Sequence, residues 1–302
     1  MKPDGPAALR RLLAEGETVA VPGVHDPITA RLVEQAGFSA TYLGGNGLGI
    51  SLGKGQPLIT LTETVDCAAR ITRASDLPLI VDAGAGFGDA AHVHRTVLEL
   101  EHTGAAGLHI DDQPYPKSPN YHRGRGGLTD LRSAAAKIEV AAKARRNGDF
   151  CIIARTDVFR ATGSVQELVQ RCRTYADAGA DALLLLDIEK REHVELVRAA
   201  VPGVPLLWIG GVVPPVLPLE ELNKVGFSLA LYPFNTIAAV AQAVSDLWRT
   251  VKETGRVPQS DEFLRTMRGD LSLLAGMKTY WDIEDALSKR QPATSEMTQA
   301  KA

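Results

Sequence analysis

Residues 78–88 read PLIVDAGAGFG, a short apolar run that delivers a single acid, Asp82, into a loop of alanines and glycines with Phe87 between two of the glycines. The run is apolar on both alternating faces, the mark of a strand covered on both sides. The segment that follows, DAAHVHRTVLELEHTG (89–104), has helical spacing and ends in a glycine suited to a left-handed C-cap. One strand and one helix therefore make a unit. Seven further runs repeat it: TVAVPGV (18–24), ATYLGG (40–45), AGLHIDD (106–112), FCIIART (150–156), DALLLLD (181–187), PLLWIGG (205–211) and SLALYP (228–233). Helical patterns such as DPITARLVEQAG (26–37), TLTETVDCAARITRAS (60–75), SVQELVQRCRTYADAG (164–179) and PLEELNKVG (218–226) lie between them. Eight such units in this length predict an α/β fold, a (β/α)8 TIM barrel. An open doubly wound sheet fits less well, because no GxGxxG opens the first helix.

The chain of 302 residues is long enough to bury a large core without staples. With 33 Lys+Arg against 36 Asp+Glu and no basic block, neither a nucleic-acid nor a membrane surface is expected, and small ligands are the favoured partners. Cys67, Cys151 and Cys172 are far apart inside apolar segments and read as reduced core residues. The N-terminal stretch 1–17 has acids, a proline and no long apolar centre, so it reads as an amphipathic helix and not a signal peptide. No apolar run approaches about 18 residues, which argues against a membrane span. A cytoplasmic location is expected. The barrel domain is placed at 1–255. Residues 256–302 form a C-terminal helical extension, with FLRTMRGDLSLLAGMKTYWDIEDAL followed by a polar end, QPATSEMTQAKA (291–302), expected to be disordered. The leucines and aromatics of this extension need a surface to cover, which predicts a homo-oligomer.

Active sites of such barrels sit at the carboxyl ends of the strands. The polar residues closing the apolar runs are His25 and Asp26, Tyr42 with Gly44 to Gly47, Asp82, Asp111 and Asp112, Arg155 with Asp157, Asp187, Trp208 and Tyr232. Asp26 and Asp157 read best as caps of the helices they precede. Asp82 and Asp111 end adjacent strands, and two carboxylates at equal height about 4.8 Å apart repel unless a cation or proton lies between them. Oxygen ligands of this kind suit Mg²⁺ or Mn²⁺. Arg155 offers a guanidinium fork that fits a carboxylate or phosphate. A buried Asp–Arg pair without any ligand is the plainer alternative. The segment QPYPKSPNYHRGRGGLT (113–129) is long and polar for a βα loop and reads as a mobile lid. GGNGLG (44–49) offers consecutive backbone N–H groups that could cradle an oxyanion, a weak signal on its own. His92, His94 and His102 lie in the third helix as surface or packing residues, and His109 alternates with Asp111 with its role open.

Taken in order, PGVHDPITARLVEQAGFSATYLGGNG, LPLIVDAGAGFG, AAGLHIDDQPYPK and FCIIARTD resemble the isocitrate lyase and phosphoenolpyruvate mutase superfamily, over roughly residues 17 to 250. The likeness is of the methylisocitrate lyase and oxaloacetate decarboxylase kind. It implies a barrel whose eighth helix is swapped between subunits, dimers assembling into tetramers, and Mg²⁺ (or Mn²⁺) as cofactor for a 2-oxo acid or its enolate. By position, Asp82 matches the family's direct metal ligand and Asp111 the acid that holds metal waters. Gly45 and Asn46 match residues whose N–H groups bind the substrate carboxylate. Tyr42 matches the phenol beside it and Arg155 the substrate-binding arginine.

The departures from the pattern bear on function. Where relatives read Asp-Ala-Asp-Thr-Gly, this chain reads Asp82, Ala83, Gly84, Ala85, Gly86, and a further family acid falls at about Gln56. In the lid, Pro119 stands where lyases carry a cysteine that serves as general acid or base, so Tyr121 or His122 would have to take over proton transfer. The seventh strand ends WIGG, which makes the far end of the pocket apolar and aromatic at Trp208 and favours a less polar substrate tail than a second carboxylate. The resulting expectation is a Mg²⁺-dependent carbon–carbon lyase acting on a 2-oxo or 2-hydroxy carboxylic acid, by decarboxylation or retro-aldol cleavage through an enolate. Phosphonate P–C mutase or hydrolase chemistry is the alternative within the family. A degenerate barrel that binds a carboxylate without turnover is the alternative outside it.

Overall fold

The eight apolar runs form eight strands: β1 (Val19–Pro22), β2 (Thr41–Leu43), β3 (Leu79–Asp82), β4 (Gly107–Asp111), β5 (Cys151–Thr156), β6 (Ala182–Leu186), β7 (Leu206–Ile209) and β8 (Leu229–Tyr232). All pairings between named strands are parallel, in the order β1-β8-β7-β6-β5-β4-β3-β2. A single parallel bridge between Gly23 and Tyr42 joins β1 to β2 and closes the ring. The structure is a computed structural model and describes residues 4–289, apart from 124, 125, 213 and 215 and the side chain of 122. The polar end at 291–302 lies outside the described residues.

The helices begin where the sequence supplies caps. Asp26 accepts from Thr29 N–H at 2.8 Å at the start of the helix Pro27–Gln35, and Thr60 and Glu63 form a reciprocal capping box before Leu61–Ala74. Asp89 and Ser164 cap Ala90–His102 and Val165–Asp177 in the same way. The glycine-rich stretch after β2, read as a loop, is instead a short helix, Gly45–Ser51. Glycine is needed at 49 because it packs directly on the Lys54–Gln56 backbone, which any Cβ there would meet at 2.9 Å.

Alternation along the strands sorts their side chains into two layers. Val21, Tyr42, Ile80, Ile153, Leu184, Leu207 and Leu229 fill the barrel, together with Leu9, Leu12 and Leu13 of the N-terminal helix Gly5–Ala14. Val81, Leu108, Ile152, Leu183, Leu185, Trp208 and Ala230 face outward under the helices. The inward set continues as Asp82, His109, Asp111 and Arg155 at the carboxyl ends. One strand register thus builds both core and site. Cys151 and Cys172 are buried free thiols, and Cys67 is a half-buried one whose Sγ lies 3.3 Å from the His25 carbonyl.

The chain divides into two compact units, residues 1–242 and 243–302, so the boundary falls inside the helix Asn235–Thr254. In the second unit the helices Asp261–Leu274 and Met277–Ser288 bury none of their side chains and expose Phe263, Leu271, Tyr280, Trp281 and Ile283. Among the described residues no helix is long and apolar enough to cross a membrane.

Candidate active site

β3 and β4 are out of step by two residues. Asp82 lies beside His109, and Asp111 lies further on beside Arg155. The expectation of two carboxylates at equal height is corrected by this register: an imidazole, not a second acid, is the lateral neighbour of Asp82. Asp82, His109 and Asp111 nevertheless bring one ligand atom each to within 4.8 Å of one another, all buried.

The Asp82 carboxylate is held by three donors. Its Oδ2 accepts from Gly45 N–H and from the Gln56 side-chain amide, each at 3.0 Å, and its Oδ1 from Gly84 N–H at 2.8 Å. Of the two positions where relatives are expected to carry acids, Gln56 donates to Asp82 through its side-chain amide, which an ionised acid could not do, and Gly84 donates through its backbone N–H. Gly84 makes its contact from a left-handed φ of +52°, a conformation that favours glycine. A Cβ on Gly45 would fall 2.7 Å from Gln56 Nε2 and 3.1 Å from Asp82 Oδ2, so the close approach also needs glycine. The Gly45 N–H, expected to meet a substrate carboxylate, is directed at Asp82 instead, and Asn46 lines the cavity beside it.

His109 is fully buried and ties the two sides of the site together. Its Nδ1 lies 2.9 Å from Asp111 Oδ1 and its Nε2 lies 2.8 Å from the Tyr42 hydroxyl. A carboxylate only accepts, so Nδ1 carries the proton of the bond to Asp111, and Nε2 is the ring nitrogen that meets the Tyr42 hydroxyl. Burial, with the Asp82 charge adding to it, holds the Tyr42 phenol well above its ordinary pKa. Asp111 takes a second partner, the Lys117 ammonium at 3.0 Å, and Arg155 Nε stands 3.7 Å away. Burial alone would raise the Asp111 carboxyl, but Arg155, Lys117 and the His109 hydrogen bond outweigh it and hold the group well below the usual carboxylate range.

Asp157 was expected to cap the next helix, and this is corrected by the structure. It occupies the cap position of Val158–Thr162 but makes no cap hydrogen bond. Its carboxylate turns into the site, where it accepts from Arg155 Nε and from the Tyr121 hydroxyl, each at 2.9 Å, and from the Gln113 amide. The Tyr121 hydroxyl in turn accepts from Arg155 Nη2 at 2.6 Å. Lys117 sits 4.4 Å from the centroid of the Tyr121 ring. Lid residues Lys117 and Tyr121 are thus buried at the site instead of standing in solvent. Burial raises the Tyr121 phenol above its ordinary pKa despite the opposing Arg155 charge, so it is a proton donor at neutral pH. The side chain of His122 lies outside the described residues.

Asp82, Tyr42, Tyr121 and Arg155 of this cluster border a cavity of about 510 Å³, within the usual size of a small-molecule site. Tyr42, Asn46, Asp82, Tyr121 and Arg155 occupy one end. Leu186, Ile209 and Val212, at the ends of β6 and β7, line the opposite side, while Pro233 packs beside Gly44 and Gly47 next to Tyr42. Trp208 borders the cavity as well, its ring 5.6 Å from that of Tyr232.

The donor set fits a hard divalent cation. Asp82 Oδ1 and Asp111 Oδ2 each have one hydrogen-bond partner and so retain lone-pair capacity, and carboxylates with waters are the ligands such an ion prefers. At Asp111 the ion would have to displace Lys117.

Comparison with known proteins agrees with this geometry. The family model for phosphoenolpyruvate phosphomutase matches residues 9–252. The chain is 36% identical over 250 residues to 2,3-dimethylmalate lyase of Eubacterium barkeri, covering 82% of this chain and 86% of that one. It is 35% identical over 257 residues to a probable 2-methylisocitrate lyase of Corynebacterium glutamicum, covering 82% of each. Among solved structures, phosphoenolpyruvate phosphomutase from Streptomyces platensis subsp. rosaceus superposes with a TM-score of 0.85 at 28% identity, over 93% of this chain and 99% of that one.

Proposed function

The chain belongs to the isocitrate lyase and phosphoenolpyruvate mutase superfamily and is a carbon–carbon lyase, and on that premise we propose that it cleaves a 2-oxo or 2-hydroxy carboxylic acid with the help of Mg²⁺ or Mn²⁺. The observation that carries this reading is the convergence of Asp82, His109 and Asp111 beside Arg155, with Asp82 and Arg155 lining one cavity. A cation held by Asp82 and Asp111, largely through water, would draw electron density from the 2-oxo oxygen and so ease loss of a neighbouring carbon group. Arg155 binds the substrate carboxylate, and Asn46 orients it. His109 fixes the direction of the Tyr42 hydroxyl and of Asp111. With Pro119 in place of a lid thiol, Tyr121 delivers the proton that quenches the developing enolate, and Asp157 holds its hydroxyl in place.

The apolar face of the helices in 261–288 supports assembly as a homo-oligomer, dimer or tetramer. The similarity to phosphomutase favours one other reading, cleavage of a P–C bond in a phosphonate. Proton and phosphorus NMR of the protein incubated with 2-oxo acids, 2-hydroxy acids and phosphonopyruvate, with Mg²⁺ or with EDTA, separates the two. Chelator-sensitive appearance of C–C cleavage products that Asp82→Ala abolishes is the expected result. Turnover of phosphonopyruvate alone would replace the lyase reading, and turnover indifferent to EDTA would remove the cation.

A further inference from the structure

The two ends of the cavity differ in charge as well as in polarity. At the inner end Asp82 and Arg155 line the cavity, and around them, among the described residues, the carboxylates Asp111 and Asp157 and the Lys117 ammonium complete a cluster of three acids and two cations. A bound divalent cation turns that deficit of one into a surplus of one, which matches a single substrate carboxylate. At the outer end Leu186, Ile209 and Val212 present no donor from their side chains. Among the described residues that border this end, the one cation is Arg160. It is held by both oxygens of Asp187, at 2.6 and 2.8 Å, with Glu189 beside it. Two acids against one arginine leave this rim negative.

A second carboxylate placed here would lose water against an aliphatic wall and meet a rim of its own sign, with no unpaired guanidinium to receive it. Alkyl carbon placed here gains from burial, about fourfold in affinity for each methylene covered. We propose that the substrate is a 2-oxo acid with no second carboxylate at its far end: one carboxylate anchored at Arg155, and beyond the reacting carbons a branched alkyl or aryl tail that occupies the Leu186, Ile209 and Val212 wall. This rests on the proposed lyase reading, whose head-group site it takes as given.

Calorimetry in the presence of Mg²⁺ with three probes tests it. Oxalate, which fills only the inner end, reports on the head-group site by itself. 4-Methyl-2-oxopentanoate and 2-oxoglutarate share that head and a similar length but end in an isopropyl group and a carboxylate. The branched acid is expected to bind at least about tenfold tighter than 2-oxoglutarate, a difference of about 1.4 kcal/mol. Val212→Arg, a change at an exposed rim position, is expected to shrink or reverse that preference while oxalate affinity stays within about twofold. Oxalate binding accompanied by equal or tighter binding of 2-oxoglutarate would overturn the proposal and leave the lyase reading standing. No binding of oxalate would sink the lyase reading instead, and the proposal with it. An unchanged preference in Val212→Arg would also overturn the proposal, because the wall would then not be where the tail lies.

Discussion

The Lys117 ammonium lies 3.0 Å from Asp111 Oδ2 with both side chains buried, so a residue of the lid supplies the counter-charge at the point where a divalent cation would be held. Ammonium and metal compete for one oxygen. Lys117→Met is therefore expected to raise Mg²⁺ affinity in the absence of substrate by about tenfold, the size of a 1.4 kcal/mol competitor. A calorimetric Mg²⁺ titration of the variant checks this, and an affinity equal to or weaker than that of the unaltered protein would show that Asp111 is not a ligand.

Tyr121 is held by Asp157 and Arg155 and stays protonated at neutral pH. Tyr121→Phe keeps the ring under Lys117 but removes the proton. The expected loss is about 10²- to 10⁴-fold in kcat, with oxalate affinity changed only a few-fold. Steady-state kinetics beside ligand titration makes the distinction. A variant that loses oxalate binding as fully as turnover would assign Tyr121 to binding alone.

Asp111 also links stability to pH. Its folded pKa is depressed, so the unfolded chain takes up a proton first as the pH falls. The stability it contributes is therefore complete above the ordinary carboxylate range, near pH 4, and is lost progressively as the pH drops below that towards the folded value. Asp111→Asn leaves Lys117 and Arg155 without that charge and should be less stable at pH 7 by about 3–5 kcal/mol. The gap should narrow below about pH 4. Denaturant unfolding at a series of pH values reads the difference directly, and a constant gap across the series would count against the depressed carboxyl.

Asp112 points the other way from Asp111 and never reaches the cavity. It accepts from Thr156 Oγ1 at 2.7 Å, Asp157 N–H at 2.9 Å, Tyr175 hydroxyl at 2.9 Å and Arg171 Nη1 at 3.1 Å, joining β4 and β5 to the helix Val165–Asp177. Asp112→Ala strands a buried arginine and is expected to cost about 3–5 kcal/mol of stability. Thermal unfolding measures it. A Tm within about 2 °C of the unaltered protein would mean the network does not hold the strand ends.

The strands were legible because most are buried on both faces, so the apolar run is continuous and the polar end is conspicuous; PLIVDAG and AGLHIDD carry both signals. The same reading located Asp82, Asp111 and Arg155. It missed the relation between them, because a shift of two residues between β3 and β4 leaves no mark in either sequence. Asp157 was misread for a local reason: an acid before VFRAT looks like a cap, while its actual partners Tyr121 and Gln113 are 36 and 44 residues away in the chain. Inward alternation with Asp111 was the available signal for His109, but its partner Tyr42 comes from another strand. Trp208, read into the pocket wall from its position at a strand end, does border the cavity, although by its parity along β7 it packs with the outward-facing set and Ile209 with the inward one.

The account turns on whether Asp82 and Asp111 hold a cation that in turn holds the head of a 2-oxo acid. Calorimetric titration of oxalate into the protein with and without Mg²⁺, repeated on Asp82→Ala, tests that most directly. Oxalate is expected to bind only when Mg²⁺ is present and not at all to Asp82→Ala. Oxalate binding that is equally strong without the metal, or that survives Asp82→Ala, would contradict it.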